Sequence, residues 1–161
     1  MSKKKVSHVM RWFTCEWRGL DSDEEYLAVF PKYLEHVAAI RDDLVPGAAA
    51  ILELDLHDGQ VQEWSDDAGL FVWRILIGDL QRGYQLATIT YSNTDLLGMD
   101  GVELTAFGLM GEDAEILHDE IDVASDGRTD HRFLFWPYTE FGLRFSQVSI
   151  DLVPASSEQR R

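Results

Sequence analysis

The most constraining feature of this chain is a change of hydrophobic period near Leu56. Upstream, Tyr26, Val29, Phe30, Tyr33, Leu34, Val37, Ile40 and Leu44 recur at three-and-four spacing, which lays one apolar stripe along a helix. Downstream the period is two, the spacing of strands. Helices segregated in this way against antiparallel strands define an α+β fold.

The helix start is legible. Ser22 with Glu25 forms a capping box, and Asp23 and Glu24 suit the positive end of a helix. Pro31 either kinks one helix or opens a second at its first turn. Pro46-Gly47 ends the segment, and Ala48–Asp55 reads as a short helix after it. Ahead of the helix, Val6–Trp17 reads as a strand, broken by Gly19 and Asp21.

Beyond Leu56, Leu70–Ile77 is almost wholly apolar, and Tyr84–Tyr91 alternates, with Gly69, Gly78 and Gly83 as turn signals. Asn93–Gly101 reads as a loop, and Val102–Leu109 and Glu115–Val123 as strands. Asp126-Gly127 is a hairpin turn ahead of His131–Trp136. Phe141, Leu143 and Phe145 alternate, and Val148, Ile150 and Leu152 alternate with opposite parity, so a β-bulge is expected near Ser146-Gln147. The expected architecture has one or two N-terminal helices packed on one face of a curved antiparallel β meander of about six to eight strands. It forms one domain over residues 1–161, with an ordered core of about 6–154 and polar tails at 1–5 and 155–161.

The charge is lopsided. The formal net charge is −15, and five of the 14 basic residues lie at the ends: Lys3, Lys4, Lys5, Arg160 and Arg161. Residues 6–159 therefore set 9 basic groups against all 29 acids, a charge of −20. Such a field repels nucleic acid and anionic membranes and attracts basic partners. An apolar fraction of 45% argues against disorder. One cysteine, Cys15, excludes an internal disulfide framework and any multi-cysteine metal site. No apolar run is long enough to cross a membrane as a helix, and no apolar signal core follows Lys5, so a cytoplasmic location is expected.

Chemistry is carried by few candidates. The polar cluster to examine is His57, Asp58, His118, Glu120 and His131. A hairpin through Gly127 would bring His118 or Glu120 near His131, and imidazole with carboxylate suits zinc, manganese or iron. Adjacent strand residues point to opposite faces, so His118 and Asp119 are not expected to share a ligand set. Otherwise each Asp caps a turn and each His bonds to backbone. No phosphate loop, dinucleotide fingerprint, G-x-S-x-G or H-E-x-x-H occurs, and nothing in the pattern assigns a cofactor, a metal, a catalytic residue or an oligomeric state. The segment Phe133–Tyr138 is a buried strand or, through Phe135, Trp136 and Tyr138, an exposed aromatic anchor for a partner.

Leu56-His57-Asp58-Gly59 leading into a β meander, Leu117-His118-Asp119-Glu120, and His131-Arg132-Phe133-Leu134-Phe135-Trp136-Pro137 together resemble a group of small bacterial domains, some grouped with immunity proteins of polymorphic toxin systems. The resemblance spans the layout of residues 22–153 and implies a binding protein rather than an enzyme. With the charge, it leads to the expectation of a non-catalytic acidic protein that docks a basic protein. The alternatives are a metal-dependent or acid/base enzyme using the His/Asp cluster, and a small-ligand carrier.

Overall fold

The computed structural model of the chain describes residues 9–97, 115–136 and 139–156. The first described residues, expected as the end of a strand, instead bend across the surface and finish in one helical turn, α1 (Cys15–Arg18). The alternation of Met10, Trp12 and Thr14 is outweighed by the burial of Met10, Phe13 and Trp17, which share one apolar cluster.

Helix α2 (Asp23–Ile40) starts where the capping box places it, with the Glu25 N–H donating to Ser22 Oγ at 3.4 Å. Pro31 lies inside this single helix. Its ring removes a hydrogen bond to the carbonyl four residues earlier, and both Pro31 and Leu27 are on the exposed side of the helix. The stripe Tyr26, Val29, Phe30, Tyr33 and Val37 packs inward, yet no residue of α2 is fully buried. Leu34, expected on that stripe, is 66% exposed. Arg41–Asp43 and Ala48–Glu53 continue as short 3-10 turns. Gly47 between them has φ +86°, and a Cβ there would overlap the backbone carbonyl of Val148.

Eight strands follow among the described residues: β1 (Gln60–Asp67), β2 (Leu70–Asp79), β3 (Gly83–Ser92), β4 (Asp95–Leu97), β5 (Ile116–Val123), β6 (Thr129–Phe135), β7 (Thr139–Phe145) and β8 (Gln147–Ala155). All pair antiparallel, so the fold is α+β. The meander is divided into two four-stranded open sheets, β1-β2-β3-β8 and β4-β7-β6-β5. The expected strand Val102–Leu109 lies outside the described residues.

The parity change near Ser146 has a different cause from the bulge expected there. β7 belongs to the second sheet and β8 to the first, so the strand changes sheet at Ser146 and must re-aim its core-facing side chains. Asn93, where β3 crosses to β4, stands beside it: its side chain donates to Ser146 Oγ at 2.7 Å, and Ser146 N–H donates to Ser92 O at 3.0 Å. Away from this corner, a bridge from Gln60 to Glu115 ties β1 to the start of β5.

The aromatic surplus fills the space between the sheets. Phe71, Trp73 and Tyr91 of the first sheet meet Phe133, Phe135, Phe141 and Phe145 of the second. Trp73 stands edge-on to Phe133 at 4.7 Å, an arrangement worth about 0.5–1.5 kcal/mol beyond area burial. Phe135 is thus a core residue, 1% exposed, and not available to a partner. Trp136, the next residue, is half-exposed, and Tyr138 lies outside the described residues. A second cluster forms on the far side of the second sheet, where Met10, Phe13, Trp17, Leu117 and Leu134 pack with the α2 stripe.

Candidate functional site

Strand β5 is an edge strand of the second sheet, and its two faces carry separate polar systems. On the outer face, Glu120 is fully buried and its carboxylate accepts three backbone N–H groups, from Arg11, Trp12 and Phe13, at 2.5, 2.8 and 3.2 Å. Burial raises its pKa, and the hydrogen bonds from the three backbone amides and the charge of Arg132 offset part of that rise. The ladder continues across the sheet. Arg132 donates to Asp130 at 2.7 Å and lies 3.5–3.6 Å from Asp122 and Glu120. Arg144 donates to both Asp130 oxygens, while Asp122 also meets Arg11 and His36. The cross-strand register produces this lattice, because Glu120 faces Arg132 and Asp130 faces Arg144. It fastens the N-terminal segment to the sheet.

On the inner face runs a buried chain of hydrogen bonds. Trp73 Nε1–H donates to Tyr91 OH at 3.3 Å, Tyr91 OH lies 2.8 Å from His131 Nδ1, and His131 Nε2 lies 2.8 Å from Asp119. With the indole donating to the phenol oxygen, the arrangement that uses every donor has Tyr91 donating to Nδ1 and Nε2–H donating to Asp119. Burial raises the Tyr91 pKa well above its ordinary value, so the phenol holds its proton. The partner of His131 is therefore Asp119, not His118 or Glu120 as the hairpin suggested. Ile121 is directly opposite His131, so the same-face diagonal neighbour is Asp119.

The two systems meet at the edge of β5. A bulge there sets Leu117 and His118 together opposite Leu134. The His118 ring stacks on Phe13 at 5.0 Å, meets Trp17 edge-on at 4.9 Å and lies 5.5 Å from His57. His57 is held by its Nδ1–H donating to Leu117 O at 2.6 Å. The repeated Leu-His-Asp triplets are thus neighbours in space. Burial, then the charges of His57 and Arg18, lower the His118 pKa to about 4, so its ring is neutral at physiological pH. Tyr33, from α2, accepts Ile121 N–H at 2.8 Å, and burial raises its pKa.

Of the expected polar cluster, then, His57, Asp58 and His118 share one end of the groove. Asp58 sits in the left-handed region, 3.5 Å from His57 Nε2. Glu120 and His131 are turned away into the two faces of the sheet. Among the described residues no three His, Cys, Asp or Glu side chains converge as a metal site. Asp119 was missed as a site residue; its signal was the pairing register to His131, which a sequence does not print.

Two depressions follow this edge, and a third adjoins them beyond His57. One of about 270 Å³ is lined by Phe13, Phe30, Tyr33, Leu34, His118 and Asp119 among others. It shares Leu54, Asp55 and His57 with a cleft of about 440 Å³ that Glu53, Asp58, Asp79 and Arg82 border. It shares Tyr33, Leu34, Leu54 and Asp119 with one of about 330 Å³ beside Val37 and Arg41. The two along α2 and β5 form a trough with an apolar and aromatic floor, and the cleft at its end carries the carboxylates Glu53, Asp55, Asp58 and Asp79. No described helix is long and apolar enough to cross a membrane. Comparison of the chain with protein-family models, curated proteins and solved structures gave no match.

Proposed function

We propose that this chain is a non-catalytic acidic binding protein that docks a segment of a basic protein partner in the trough along α2 and β5. The observation that carries the reading is the pairing of an apolar floor, with Asp119 beside it, and an adjoining cleft that carries Glu53, Asp55, Asp58 and Asp79. Among the lining residues these five acids stand against two arginines, Arg41 and Arg82. Arg132 and Arg144 are committed to the lattice, Arg128 to Asp95 and Asp126, and Arg74 to Glu63. Arg82 and Arg41 are each paired with one of these acids, Asp55 and Glu53. A basic segment with apolar side chains complements both features, and charge of this kind steers association. The sequence resemblance adds the form of an immunity-type factor whose partner is a basic toxin.

The test is crosslinked affinity capture at low and high salt, with the wild-type chain beside a Glu53→Lys/Asp58→Asn variant. Asn tolerates the left-handed backbone of Asp58. The expected result is a basic protein whose affinity, measured after purification, falls about tenfold or more with salt and again with the variant. A partner indifferent to both changes, or none, would overturn the reading.

A further inference from the structure

We infer that the depression beside Asp119 is an anchor pocket for one arginine side chain of the partner. This rests on the docking reading and assigns it a recognition chemistry. Asp119 is the carboxylate best prepared for the task. Its Oδ2 accepts from His131, which Tyr91 and Trp73 hold in turn, so the group is oriented from behind by fully buried side chains. His131 is its one hydrogen-bond partner among the described residues, and a carboxylate has about four lone-pair sites. Its side chain is 24% exposed, toward the trough.

The walls suit a guanidinium. Phe30 and Tyr33 line the depression with aromatic rings, Phe13 lies beneath them, and Leu34 borders it. Arginine is planar, weakly hydrated and able to stack on rings while forking onto a carboxylate, and lysine is not. His118 would repel a cation if protonated, but its burial among Phe13, Trp17 and Phe30 keeps it neutral at physiological pH. At about 270 Å³ the depression has room for one long side chain.

The experiment is an NMR titration of the full chain with N-acetyl-L-arginine N-methylamide, and with its lysine and citrulline counterparts. Saturable shifts at Phe30, His118 and Asp119 are expected with the arginine probe, about fivefold weaker binding with lysine and none with citrulline. Asp119→Asn should weaken the arginine probe about tenfold. Should that variant unfold, Phe30→Leu provides the second arm, because loss of the ring should erase the preference for arginine over lysine. Citrulline binding as well as arginine, or no saturable shift in the groove, would overturn the anchor. A salt-sensitive partner captured by the same preparation would then leave the docking reading standing.

Discussion

Two acidic residues side by side on β5 live in opposite regimes. Glu120 is sealed under the N-terminal segment with three amide donors and Arg132 around it. Asp119 stands on the other face, tied to His131 and open to the trough. The first turns its bonding capacity inward, so its charge serves the fold by fixing where residues 11–13 lie. The second keeps capacity facing outward, so its charge is available to a guest. What separates the two charges is saturation, not residue type or position in the sequence.

The strongest way to break the comparison is Arg132→Met. The variant leaves Glu120, Asp122 and Asp130 without the cation they share, and removing one partner of a buried ionic group costs about 3–5 kcal/mol. That is a large part of the about 5–15 kcal/mol that a domain has. The urea midpoint should fall steeply. A change below about 1 kcal/mol would mean that the lattice does not hold the N-terminal segment, and the contrast with Asp119 would collapse.

Much of the fold was legible and much of the site was not, for related reasons. The capping box at Ser22, the turn at Asp126-Gly127 and the alternation of Tyr84–Tyr91 are local signals, and the structure follows them. The division into two sheets is not local. It shows in the sequence as the parity change at Ser146, which one bulged strand would also produce. The described part of Val6–Trp17, residues 9–17, misled because Met10, Phe13 and Trp17 bury themselves in one apolar cluster with the α2 stripe. The histidines were visible as residue types, but the meeting of His57 with His118 was not. The meeting of His131 with Asp119 depended on register, and the bulge at Leu117 carries no glycine to announce it.

The next effect in size lies on the open side of the comparison and is read through pH. The folded chain holds His118 near pKa 4 against 6.5 unperturbed, so it binds this proton less readily than the unfolded chain does. Stability is unaffected above about pH 6.5, falls as pH drops toward about 4 and has no further loss below that. After allowance for partial exposure, the fall should be about 1–2 kcal/mol. Glu120 acts in the opposite sense, because its raised pKa favours the folded state as pH falls through it. The measurement is therefore the difference between wild type and His118→Phe in urea titrations at pH 7 and pH 4.5. An equal pH slope in both would show that His118 is not held among its aromatic neighbours.

The smallest effect on stability sharpens the comparison most. Leu34 is 66% exposed on α2, yet it lines two of the three depressions. Single exposed leucines need no explanation, so position has to decide its meaning. If the trough were only an imperfection in packing, Leu34 would matter to nothing. If it receives a partner, Leu34 lies where burial on docking would remove apolar surface from water, at about 25 cal/mol per Å². Leu34→Ser should therefore leave the urea midpoint within about 0.5 kcal/mol of wild type. It should also weaken the captured partner and the arginine probe by more than its stability change allows. The reverse pattern, stability lost and binding kept, would place Leu34 with Glu120 among the residues that hold the fold.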